Sequence, residues 1–280
     1  MSRAAEVGEK LARVRGWLED SGQDAALFSS QPAVAWLTAG LEDKVVRNEE
    51  PALVWALVTR DDAILITTNI EAPRLAAEED IAGFEVHAVP WYDPGGLARA
   101  AQQRAGGAKL AGAPASLRMP LVAPEAERLA ALGADTAQAL EGALRSWQPV
   151  ERECDLAARI AAALEERLIF PSVLLVGGAE RRRAFRHPVP SAALTGRDVL
   201  AVVVGVRGGL NVACSRTASA GDPDPELAAN HLAACAVETA LITASRPEDT
   251  FVVTRSGPRP VTYTADWPVV PGGRPAILPT

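Results

Sequence analysis

Residues 185–217, FRHPVPSAALTGRDVLAVVVGVRGGLNVACSRT, decide the architecture of the second half of this chain. The stretch opens on His187-Pro188-Val189-Pro190, where two prolines fix φ and withhold backbone donors, so no helix runs through it. Residues 199–206 are then apolar throughout, broken only by Gly205, the pattern of a strand covered on both faces. Residues 210–214 read as the partner strand. Arg207-Gly208-Gly209 joins the two, and paired glycines supply the positive φ angles of a tight hairpin. The two strands therefore read as a β-hairpin.

Working outward, Leu156, Ile160, Leu164 and Leu168 recur every four residues on one helical face, and 173–176 reads as another strand. Residues 225–244 form a further helix. Residues 251–254 and 260–263 read as a second hairpin around Ser256-Gly257-Pro258. Upstream, a helix from 123 towards 145 bridges to the first half, with Trp147-Gln148-Pro149 as the break. This predicts two domains, 1–145 and 146–280. In the first, Val7, Leu11, Val14 and Leu18 mark a helical stripe ended by Ser21-Gly22. A buried strand follows at 25–28, and paired strands at 52–58 and 64–68 flank Asp61-Asp62. A helix over 70–80 and a strand over 84–89 come next, while Pro94-Gly95-Gly96 and Gly106-Gly107 predict a looser stretch. The fold class is α/β.

Composition narrows the function. Of 280 residues 48% are hydrophobic, too many for a disordered chain. No apolar run approaches the ~20 residues of a membrane span, and the start of the chain lacks a secretory pattern. Cys154, Cys214 and Cys235 form no C-x-x-C pair, and an odd count suits a reducing compartment, so the cytoplasm is expected. The net charge of -7 lies wholly in residues 1–145, with 14 Lys+Arg against 21 Asp+Glu, which argues against nucleic acid as a partner. Phosphate loops, the dinucleotide fingerprint, H-E-x-x-H and G-x-S-x-G are all missing. With only His87, His187 and His231, no zinc spacing arises either.

Two stretches together carry a family likeness. Residues 10–40, KLARVRGWLEDSGQDAALFSSQPAVAWLTAG, resemble the opening of the creatinase and prolidase amino-terminal domain. Residues 185–217 resemble that family's central signature, in which a His-Pro-x-Pro turn leads through a Gly-Asp turn into a β-hairpin ending in Thr-Arg-Thr. The resemblance implies a creatinase-like amino-terminal domain followed by a truncated "pita-bread" domain. It also implies an Xaa-Pro aminopeptidase type of ancestor, in which five ligands hold two metal ions that polarise a scissile carbonyl.

Matched residue by residue, that ligand set is depleted. The family's paired aspartates stand eleven residues apart on the hairpin, and the match places them at Val202 and Ala213. Neither side chain has a lone-pair oxygen. Downstream, the text passes from Thr243-Ala244-Ser245-Arg246-Pro247 directly to Glu248-Asp249, skipping on the order of a hundred residues, the scale of a small domain. Glu248 would be the one surviving ligand position. The resemblance thus predicts no metal, no other cofactor and a non-catalytic protein. The enzymatic alternative is a metal-free C–N hydrolase of creatinase type, with His187 as acid and base and a peptide or small amidine as ligand.

Individual residues keep plainer readings beside these. His187 can equally fix a proline turn. Arg181-Arg182-Arg183 with Arg186 form either an anion clamp or a solvated loop. Gly205, Gly208 and Gly209 read as a hairpin turn rather than a phosphate cradle. Cys214 reads as a small buried hydrophobe, Cys154 as a helix-start thiol without a histidine nearby in sequence, and His231 as a partly exposed helix residue. A sheet half missing its pseudo-symmetric partner predicts a homo-oligomer.

Overall fold

The computed structural model describes residues 2–43, 45–47, 51–244, 251–254, 257–262, 264–270 and 274–279. The chain divides into two compact units, one of Met1–Ala126 with Gly208–Leu210, the other of Glu127–Arg207 with Asn211–Thr280. The division falls near the start of the bridging helix, where the sequence reading puts the domain break at its far end.

The first unit runs α1 (Arg3–Ser21), β1 (Ala25–Ser30), α2 (Gln31–Leu37), β2 (Pro51–Thr59), β3 (Ala63–Thr68), α3 (Ala72–Glu78), β4 (Glu85–Val89), α4 (Gly96–Arg104) and β5 (Leu110–Gly112). Its sheet has the order β4-β3-β2-β1-β5. The central pairs β1–β2 and β2–β3 are antiparallel, and β4 and β5 add in parallel at the edges. Period-two alternation sorts the strand residues onto two faces. Ala26, Phe28, Val54, Ala56, Val58 and Leu65 meet Val7, Leu11, Val14 and Leu18 of α1 on one side. Ala25, Leu57, Ile64 and Ile66 meet Ala100 and Ala101 of α4 on the other. The glycines around α4 thus bound a helix rather than loosen the chain: Gly95 (φ 77°) precedes it, and Gly106 (φ 64°) follows. At that length the helix shows too little apolar period to be read.

Lys10 lies inside this unit, fully buried on the inner face of α1. Its three ammonium protons have three acceptors: Glu6 Oε1 at 2.7 Å, the Trp36 carbonyl at 2.6 Å and Glu125 Oε1 at 2.9 Å. Complete pairing is what makes a buried ammonium tolerable.

The second unit contains most of α5 (Ala123–Arg145), then α6 (Glu153–Glu165), β6 (Phe170–Gly178), α7 (Ala179–Ala184), β7 (Asp198–Arg207), β8 (Leu210–Ser219) and α8 (Pro225–Ala244). Short strands β9 (Phe251–Thr254), β10 (Gly257–Pro260), β11 (Val269–Val270), β12 (Arg274–Pro275) and β13 (Leu278–Pro279) complete it. The β9–β10 hairpin starts its second strand three residues earlier than the sequence predicts. The main sheet has the order β13-β8-β7-β6, with β6 antiparallel to β7. Gly208 (φ 57°) and Gly209 (φ 74°) make the left-handed turn between β7 and β8. Gly205 serves close packing instead, since a Cβ there would stand 2.7 Å from Thr136 Oγ1 of α5. The four-residue stripe of α6 ends early: Leu168 is 81% exposed at φ 56°, in the left-handed turn that closes the helix.

Candidate functional site

The signature stretch is held from behind by Glu153, a fully buried carboxylate in the first turn of α6. Its Oε1 accepts from the Gly178 amide at 2.9 Å. Its Oε2 accepts from the Ser191 amide at 3.1 Å, from Ser191 Oγ at 2.7 Å and from Arg181. Arg181 also reaches the Val189 carbonyl at 2.9 Å, and Arg182 pairs with buried Asp198. The arginine run is thus half consumed by the fold. Arg181 and Arg182 fasten the proline loop to the sheet, while Arg183 and Arg186 are exposed. Sequence alone could not divide them, because the partner carboxylates lie 28 and 16 residues away.

His187 sits on this loop, exposed, with no hydrogen bond or ion pair among the described residues. The next residue, Pro188, is buried, and a Cβ on Gly177 would come within 2.5 Å of its ring. The loop is therefore anchored at Pro188 and Ser191, and among the described residues no carboxylate pairs with His187 to orient it.

Burial alternates cleanly along the central hairpin. Ala201, Val203 and Gly205 of β7 and Val212, Cys214, Arg216 and Ala218 of β8 are buried. Leu200, Val202 and Val204, with Ala213, Ser215 and Thr217, form the half-buried face. Val202 and Ala213 therefore share one face of the hairpin, and both present hydrocarbon to it. Among the described residues no three His, Cys, Asp or Glu side chains gather where they could hold a metal ion. The donors present on this face do not fit a paired-metal centre. Glu248 lies outside the described residues.

Arg216, the arginine of the signature, has a role the sequence reading missed. It is 2% exposed and donates to Glu141 Oε1 of α5 at 2.9 Å and to the Thr262 carbonyl at 2.7 Å. Thr264 donates to the other Glu141 oxygen. The guanidinium also lies 5.7 Å from the Trp267 ring centre, a cation–π distance. This arginine ties α5 and β8 to Thr262 and Trp267. Cys154 follows the α6 start as expected, next to Asp155, whose carboxyl the bidentate Arg152 holds below its usual range. Cys214 is fully buried.

This geometry defines an α/β protein whose second unit is built on a four-stranded sheet around the β7–β8 hairpin, with α5 and α6 packed against it. The chain belongs to the creatinase/prolidase family: the family model for the Creatinase/Prolidase N-terminal domain matches residues 10–151. Solved structures agree on the fold. A prolidase from Pyrococcus horikoshii superposes with a TM-score of 0.64 at 15% identity, covering 84% of this chain and 71% of that one. Dipeptidase PepE from Mycobacterium ulcerans gives 0.61 at 19%, covering 87% and 72%. An X-prolyl aminopeptidase from Caenorhabditis elegans, described as a cytosolic enzyme with a di-nuclear active site, gives 0.51 at 13%, covering 84% and 43%. Comparison with curated protein sequences gives no match. Among the described residues no helix is long and apolar enough to cross a membrane.

Proposed function

We propose that this protein works without the paired-metal chemistry of its relatives, as a non-catalytic binding protein for peptides or small amidines, assembled as a homo-oligomer. One observation carries the reading. Val202 and Ala213 occupy the shared half-buried face of the hairpin with side chains that cannot donate an electron pair to a cation. A metal-free hydrolase would need a general acid held by neighbours, and His187 is exposed, with no hydrogen bond or ion pair among the described residues.

The test is elemental analysis of protein purified without chelator, beside turnover of Xaa-Pro dipeptides and of creatine-like amidines. Well under one transition metal per chain and no turnover are expected. Two manganese, cobalt or zinc ions per chain would overturn the proposal. Metal-free turnover abolished by His187→Ala would replace it with the hydrolase.

A further inference from the structure

A cavity of about 150 Å³ opens in the second unit where α8 lies over the half-buried face of β8. Ser215, Thr217, His231, Cys235 and Glu238 line it. His231 and Cys235 are four residues apart and therefore share one face of α8. Cys235 is 9% exposed, and its Sγ stands 3.6 Å from His231 Nε2. The same Nε2 is 2.8 Å from the carbonyl oxygen of Pro275. A carbonyl only accepts, so Nε2 carries a proton, and that N–H is shared between the oxygen and the sulfur. The sulfur is thus an acceptor on a fixed N–H donor, the arrangement that suits the nucleophilic thiolate form of cysteine.

We propose that Cys235 and His231 form a thiol site that exchanges with low-molecular-weight disulfides, over the same half-buried hairpin face as Val202 and Ala213 but using neither. Cys235 loses its proton to solvent and its sulfur attacks one sulfur of the small disulfide. The new protein–ligand S–S bond forms as the old S–S bond breaks. The departing thiolate carries the electron pair away and takes up one proton, so the exchange needs no further oxidant. The cavity holds the volume of about five waters at ~30 Å³ each, enough for a retained group of a few heavy atoms. A tripeptide thiol exceeds it.

The experiment treats the full chain with cystamine or with oxidised glutathione and maps mixed disulfides by mass spectrometry. Half-buried Cys154 is the reference on the same molecule, and fully buried Cys214 reports unfolding. Cystamine is expected to label Cys235 as well as Cys154, and glutathione disulfide to label Cys154 alone. His231→Phe removes the donor and should lower the Cys235-to-Cys154 labelling ratio about tenfold, the effect of one hydrogen bond. His231→Gln, whose amide can donate in its place, should keep the ratio within about threefold. Cys235 left unlabelled by cystamine in the wild type overturns the proposal. So does an unchanged ratio in His231→Phe with Cys214 still protected. Should His231→Phe expose Cys214, the glutamine variant decides, and a tenfold loss there counts against the site.

Discussion

Asp43 shows how far one buried carboxylate departs from its ordinary chemistry. It is 2% exposed, and its Oδ2 accepts from the amides of Leu53 at 3.0 Å and Val54 at 3.3 Å. Burial nevertheless dominates and pushes its carboxyl above the usual range, with Glu42 adding to the rise. Glu79 moves the same way, again chiefly through burial, against the pull of Arg3 and Arg74. A folded value above the unfolded one means that the native state binds more protons between the two. Stability then falls as pH rises from the ordinary carboxylate value through the raised one, and recovers as pH falls through it. Asp43→Asn keeps an oxygen for both amides and removes the charge. The variant should be at least as stable as the wild type in urea near neutral pH, with the gap closing under mild acid. A loss of more than about 1 kcal/mol at neutral pH would show that the anion itself is needed there.

Between elements, the ion pair of Arg216 and Glu141 joins residues 75 apart in sequence. Both are nearly fully buried, so removing one partner strands a charge, at about 3–5 kcal/mol. Glu141→Leu and Arg216→Met should each lower the denaturant midpoint steeply. Their combination should recover a large part, because no charge is left alone; strict additivity of the two losses would contradict this account. The same pair marks the limit of sequence reading. The hairpin strands were legible because apolar runs bounded by glycines admit few alternatives. Helix α5 was legible because it is 23 residues long. Helix α2, only 7 residues with Pro32 at its start, offers no period to detect. Leu168 kept the four-residue spacing of α6 yet turned outward, since spacing does not reveal where a helix closes. Arg216 read as part of a signature, and nothing nearby in sequence pointed to Glu141.

At the scale of the whole chain, the family was legible because its landmarks stand in order, even where identity to solved relatives is 15%. The proposed loss of metal chemistry is read by subtraction, at Val202 and Ala213. The exposure of His187 and the approach of Pro275 to His231 depend on tertiary contacts and left no trace in spacing, whereas the four-residue interval between His231 and Cys235 on a predicted helix did. The expectation of assembly rests on the second unit's sheet. Strand β6 is its outer member, and residues 170–178, FPSVLLVGG, carry no charge. Pro171 and the register shift between Pro171 and Val173 blunt only the first part of that edge. Val173, Phe185, Val189 and Leu194 of this unit are each more than a third exposed. At about 25 cal/mol per Å², covering even ~200 Å² of such surface is worth about 5 kcal/mol, comparable to the low end of a domain's whole stability. A second copy pairing along β6 would cover edge and apolar side chains together, so we expect a homodimer or larger assembly at micromolar concentration. Val173→Lys together with Leu175→Lys places charge on the edge strand and should shift light scattering towards the monomer. A wild-type chain that is already monomeric, with a high melting temperature, would mean that the unit closes its own edge.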